Sequence, residues 1–201
     1  MVSIDDIKAY HCPRWEELPD LDLYMDQVMS VLEKNLCIFI EGDPAKAITP
    51  TMINNYVKQK MVRPPKNKKY DRGHIASFFI ITLLKQIMSL SEIKDAIDRV
   101  LTHYTPEEGY NRFCEIFENT LHAVFFDRKE EKPMTPDKDR DTASIILSIT
   151  LAYSNMFYAR YLLGKTAEKK PEKQKPQKGR AEKDKEKKKK QEQPQERKSE
   201  K

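Results

Sequence analysis

Apolar residues recur at helical spacing along most of the chain and divide it into six segments. Leu21, Tyr24, Val28, Val31, Leu32, Leu36 and Phe39 trace one stripe, which predicts a helix over Leu21–Phe39. Met52, Ile53, Tyr56 and Val57 trace a second. Thr49 and Pro50 open it, a hydroxyl cap followed by proline at the first helical position. Pro64 and Pro65 close it, since each ring removes a donor and pushes the preceding residue out of the helical region, so Pro50–Lys60 is predicted. Between Ile75 and Met88 the apolar positions cover nearly the whole circumference, and Asp71 stands as the cap, which predicts a helix buried on several sides. Ser89 with Glu92, and Thr105 with Glu108, read as capping boxes for two amphipathic helices. The first carries Ile93, Ala96, Ile97 and Val100; the second carries Tyr110, Phe113, Cys114, Phe117, Leu121, Val124 and Phe125. A polar loop at Asp127–Arg140 then precedes a last helix, Asp141–Leu163, apolar on most faces.

That last helix raises the question of a membrane span. Ser144, Ser148, Ser154, Asn155 and Arg160 interrupt the run of roughly 20 apolar residues a span requires. A helix wet on one narrow strip must instead be covered by its own domain or by a twin subunit. Beyond Lys165 the chain turns to Lys, Glu, Gln and Pro, with 16 basic and 8 acidic residues and almost nothing apolar, and residues 165–201 are expected to be a disordered tail. At the other end, residues 1–20 lack a basic start and an apolar run, so they read as an N-terminal extension and the expected address is cytoplasmic.

A basic stretch lies between the second and third helices. Arg63, Lys66, Lys68, Lys69 and Arg72 crowd around Asn67, after two prolines and beside Tyr70, which predicts a small β-hairpin. The whole chain has 37 basic and 32 acidic residues, net +5. Yet residues 46–74 hold eight basic residues and one acidic, Asp71, within a body that is otherwise acidic. Charge focused in this way suits a surface that faces phosphates. The outer edge of the preceding helix carries Thr51, Asn54, Asn55 and Lys58. Adjacent asparagines weaken a helix, so stability does not account for them. An asparagine amide in the major groove can donate to adenine N7 and accept from its N6 amine.

The residues Thr49-Pro50, Ile53, Tyr56, Pro64-Pro65, Tyr70-Asp71, Ile75 and Ser89 to Ile93 resemble the DNA-binding half of MerR-type transcription regulators, which run recognition helix, wing, helical pair. Leu21 to Val28, Thr51 to Lys58, Lys68-Lys69-Tyr70 and His74-Ile75 more closely resemble a bacterial MerR-like group known as the domain of unknown function 1836 family. The resemblance implies a mainly α winged helix-turn-helix over 21–101, with a hairpin wing, and a helical C-terminal region over 102–164 that dimerises. It also implies double-stranded DNA as partner and transcription regulation as function. The site residues it implies are Thr49, Thr51, Asn54, Asn55, Tyr56 and Lys58 on the helix, and Arg63, Lys66, Lys68, Lys69, Tyr70 and Arg72 around the wing. Where MerR-type recognition helices carry an arginine and two tyrosines, this chain has Asn54, Asn55 and Tyr56, so base preference does not transfer.

Other chemistries find little support. The five glycines form no phosphate loop or dinucleotide fingerprint, and no nucleophile elbow is present, so an enzyme is not expected. Cys12, Cys37 and Cys114 are too far apart in sequence for a zinc motif or a disulfide framework, and Cys37 and Cys114 read as core residues; no metal or cofactor is expected. His74 reads as a solvent-facing residue at a helix start. The alternative to DNA binding is a helical protein-interaction module using the C-terminal helix. RNA binding has only Tyr56 and Tyr70 as stacking surfaces.

Overall fold

A computed structural model describes residues 2–40, 48–126 and 137–168, the last three by backbone alone. The helices are α1 (Ile4–Lys8), α2 (Met25–Leu36), α3 (Pro50–Lys58), α4 (Arg72–Leu84), α5 (Leu90–His103), α6 (Pro106–Phe126) and α7 (Arg140–Glu168), with 3-10 turns at Trp15–Glu17 and Cys37–Phe39. Met1–Lys165 form one compact unit and Thr166–Lys201 a second, of which only the backbone to Glu168 is described. Residues 169–201 of the expected tail, the loop at 127–136 and residues 41–47 between α2 and α3, with Lys46, lie outside the described residues, whereas residues 165–168, expected to open the disordered tail, continue α7 as helix.

Helix α4 is the central post that its all-round apolar pattern predicts. Ile75, Phe78, Phe79, Ile81, Leu83 and Leu84 are all buried, and the Asp71 side chain caps the helix by accepting from the His74 amide at 3.2 Å. Both predicted capping boxes form. Ser89 N donates to Glu92 Oε2 at 2.8 Å and Glu92 N to Ser89 Oγ at 3.3 Å; Thr105 N and Glu108 make the same exchange at 2.9 and 3.2 Å. Each satisfies amides that a helix start leaves without partners. Thr49 likewise accepts from the Met52 amide at 3.3 Å and opens α3. That helix stops at Lys58, short of the predicted Lys60, whose φ of 57° is left-handed.

No β-strand occurs among the described residues, and the predicted hairpin is corrected to a single tight turn. Lys66 N donates to Lys69 O at 3.1 Å and Lys69 N to Lys66 O at 2.9 Å, closing one antiparallel bridge around Asn67 and Lys68. Two prolines on one side and the start of α4 on the other leave too few free amides to extend a ladder. A second bridge, Leu23 with Tyr70 at 2.8 Å in both directions, pins this turn to the chain entering α2. That pairing also explains a second correction: the helix predicted from Leu21 begins only at Met25, because Leu23 is held extended. Leu21 is 75% exposed and Tyr24 53% exposed, so neither joins the core stripe.

The N-terminal extension is held against α6. Cys12 N donates to the Glu118 carboxylate, which also binds Arg14, and Trp15 N donates to Asn111 Oδ1 at 2.7 Å, all on α6. The partners lie about a hundred residues away, so no local periodicity signals them. Cys12 and Cys114 are buried, whereas Cys37 is exposed, contrary to its predicted core role. Along α7 one face is buried through Thr142, Ile146, Thr150, Tyr153, Ser154 and Phe157. Thr150 Oγ1 donates to Ile146 O at 2.9 Å, and Ser154 meets Thr120 of α6 at 3.2 Å, so hydroxyls that look wet in sequence sit inside. Leu147, Leu162 and Leu163 remain exposed. Among the described residues no helix is long and apolar enough to cross a membrane.

Candidate nucleic-acid interface

Helix α3 is divided lengthwise. Ile53 and Tyr56 are buried, while Thr51, Asn54, Asn55, Lys58 and Gln59 are exposed. The exposed edge therefore presents three amides, a hydroxyl and an ammonium within about two and a half helical turns. Gln59 Nε2 donates to Asn55 Oδ1 at 3.2 Å, and among the described residues no such contact restrains Asn54. Tyr56, predicted as a contact, is 3% exposed with its ring 6.5 Å from Phe78, and burial pushes its phenol up. Its role is to fasten α3 to α4. Thr49 is committed to its cap.

The turn after α3 carries the exposed Lys66 and Lys68. Asn67 and Lys68 have φ of 51° and 61°, and positive φ at both central residues makes this a type I′ turn. Asparagine tolerates that conformation; lysine does so at a cost of roughly 1–2 kcal/mol, and glycine would avoid it. Lys69 turns back, its Nζ 5.1 Å from the centre of the Tyr24 ring. Tyr24 is not among the site residues expected from sequence, and the Leu23–Tyr70 bridge beside it brings it here. Tyr70 itself, predicted as a wing contact, is 4% exposed, with its ring edge-on to His74 at 5.5 Å and Phe78 at 5.7 Å.

The two arginines part from the lysines. Arg63 is ion-paired with Asp71, and Arg72 Nη2 lies 3.1 Å from Asp20 Oδ1. Both wall a cleft of about 780 Å³ with Asp20, Asp71, Asp98 and Glu107, a set that none of the α3 edge residues or turn lysines joins. Of the predicted contacts, then, Thr51, Asn54, Asn55, Lys58, Lys66 and Lys68 are exposed, Lys69 is partly covered, and Arg63 and Arg72 are engaged elsewhere.

His74 is buried, contrary to the solvent-facing position expected. Its Nδ1 is 2.7 Å from Asp71 Oδ1, and its Nε2 is 3.1 Å from the Arg63 carbonyl oxygen. It thus straps the chain before the turn to the cap after it. Burial pushes the Asp71 carboxyl up, but hydrogen bonds from Arg63 and His74 outweigh this and hold it below the ordinary carboxylate value. A carboxyl lowered on folding stabilises above its unfolded value and loses that contribution as pH falls through the folded one. Asp71→Asn keeps a capping side chain and removes the charge. It is expected to leave the chain less stable at neutral pH, by no more than about 1 kcal/mol at this partly exposed site, and to reduce the loss of stability below about pH 4. Urea unfolding across that range would measure both, and an unchanged acid limb would refute the assignment.

Among the described residues, no three His, Cys, Asp or Glu side chains gather as a metal site. The exposed surface is suited to hydrogen bonding and phosphate neutralisation. Neither a curated protein nor a solved structure matches this chain. The family described as Domain of unknown function (DUF1836) matches residues 13–118, more than half of the sequence. That segment runs from the N-terminal strap through α2 to α5 and ends at Glu118, the carboxylate that holds Arg14. The chain belongs to the DUF1836 family of domains of unknown function.

Proposed function

We propose that this protein is a sequence-specific DNA-binding transcription regulator whose α2, α3 and basic turn act as a MerR-like helix-turn-helix with a one-turn wing. The observation that carries the reading is the polar edge of α3, with Thr51, Asn54, Asn55 and Lys58 exposed while Ile53 and Tyr56 anchor the opposite face. In this reading α3 lies in the major groove, Asn54 meets a base edge, and Lys58, Lys66 and Lys68 neutralise phosphates. The strained φ at Lys68 supports it, because a turn chosen for stability alone would carry glycine there. Two copies meet through α7, where Leu147, Leu162 and Leu163 stand exposed, and the pair reads a pseudo-palindromic site.

The test is selection of duplexes from a random pool by the purified full chain, followed by sequencing. An enriched, two-fold related motif is expected. Asn54→Ala should relax preference at one or two base pairs per half-site and cost about 1–3 kcal/mol on the selected duplex. No enrichment, together with no binding of random duplex at low salt, would discard the reading in favour of a helical interaction module.

A further inference from the structure

The core is not filled where α4, α5, α6 and α7 meet. A cavity of about 90 Å³ lies there, walled by Trp15 from the N-terminal strap, Ala76 of α4, Ala96 and Ile97 of α5, Phe113 of α6 and Ile146 of α7. None of its wall residues carries a charge. Small residues stand on its wall at Ala76, Ser77 and Ala96, where larger side chains would ordinarily close a protein interior to crystal-like density, whereas Gly109 is a close approach at which a Cβ would meet Val100 Cγ1 at 2.9 Å. Water is poorly served in it. The Ser77 hydroxyl already donates to Gly73 O at 2.9 Å, and the buried Tyr110 hydroxyl of the wall, which has no hydrogen-bond partner among the described residues, would alone give an ordered water fewer than the 2–4 polar partners it needs. The cavity also has a way out: Trp15, Gly73, Ser77, Ile97, Leu101 and Pro106 wall both it and the wider cleft that carries Arg63 and Arg72.

We propose that this cavity is a binding site for a small uncharged molecule with an apolar body about the size of one ring, aromatic or alicyclic. Three properties point to that class. The wall is apolar, so a charged ligand would lose its hydration without compensation. Dry apolar cavities of roughly 150 Å³ take up benzene, and this one, though smaller, opens on one side so that a ring can enter with its edge in the cleft. The opening distinguishes a site with access from a sealed packing defect. The proposal does not rest on the DNA-binding reading. The cavity adjoins the start of α4, since Gly73, Ala76 and Ser77 belong to the first turns of that helix, next to the Asp71 cap that holds Arg63.

Trp15 is the only tryptophan in the chain, so its emission reports occupancy directly. Bromobenzene, a heavy-atom quencher of the proposed size, is to be titrated into the full chain. Saturable loss of Trp15 emission is expected, with recovery on adding toluene as a competitor, and toluene alone should raise the unfolding temperature. Ala96→Leu fills the cavity from α5 and should abolish saturable quenching and the toluene-induced shift, with an unliganded unfolding temperature no lower than that of the parent chain. Ala76→Val fills it from α4 and serves if leucine at 96 is not accommodated. Quenching that stays linear and equals that of N-acetyltryptophanamide would overturn the site, as would saturable quenching that persists in both filled variants.

Discussion

Phe39→Ala is expected to lower the free energy of unfolding by about 3–5 kcal/mol, the largest effect of any single truncation considered for this chain. Phe39 is 2% exposed, and its ring centre lies 4.8 Å from Tyr10, 5.1 Å from Phe157, 5.3 Å from Phe117 and 6.0 Å from Tyr153. Those rings come from the N-terminal segment, α6 and α7, so one side chain joins three separate parts of the chain to the end of α2. The hole left by alanine cannot close readily. Tyr153 is held by a hydrogen bond from Gln86 Nε2 at 3.1 Å, and Phe117 is packed against Phe113 in a near-parallel stack. Cavity cost then adds to the lost transfer free energy. Phe39→Leu, which keeps most of the volume, should cost less than about 1.5 kcal/mol. Urea unfolding of the two variants gives the comparison, and a loss below about 1 kcal/mol for the alanine variant would mean that the aromatic cluster repacks around the gap.

Replacing Lys58, Lys66 and Lys68 together by alanine is expected to weaken duplex binding about a hundredfold at low salt. The figure follows from roughly 1 kcal/mol or more for each charge-assisted phosphate contact. All three side chains are exposed. The slope of log affinity against log salt should flatten by about 2.7, at 0.9 for each neutralised phosphate. The loss should be the same for selected and random duplexes, in contrast to Asn54→Ala. Stability should not fall, since none of the three packs in the core, and the fold is a direct control for the binding result. Arg63→Ala and Arg72→Ala serve as contrasts: both residues are ion-paired along the cleft and should leave the salt slope nearly unchanged. An unaltered slope in the triple variant, with binding retained, would remove the turn and α3 from the interface.

The helices could be read in advance because their signals are local. Spacing of apolar residues, the caps at Thr49, Asp71, Ser89 and Thr105, and the breaks at Pro64 and Pro65 all act within one or two turns. The exposed edge of α3 was legible for the same reason: with Ile53 and Tyr56 inward, the geometry of a single helix sends Asn54, Asn55 and Lys58 outward. What misled was local composition without a partner. The lysines and Asn67 suggest a hairpin, but a ladder requires free amides on both arms, and only one bridge forms. Tyr56 and Tyr70 look like polar contacts in a basic stretch until Phe78 of α4 takes both rings.

Sequence by itself determined the helical class, most of the helix starts, and a basic segment following a helix with a polar edge, because each depends on interactions between near neighbours. Tertiary structure alone decided that residues 1–20 strap onto α6, that Tyr24 stands beside Lys69, that His74 is buried between Asp71 and the Arg63 carbonyl, and that Arg63 and Arg72 leave the lysines for a separate cleft. It also left the cavity behind Trp15. These depend on which distant groups meet, and burial, pairing and unfilled volume are properties of several segments packed together, which no spacing along one segment encodes.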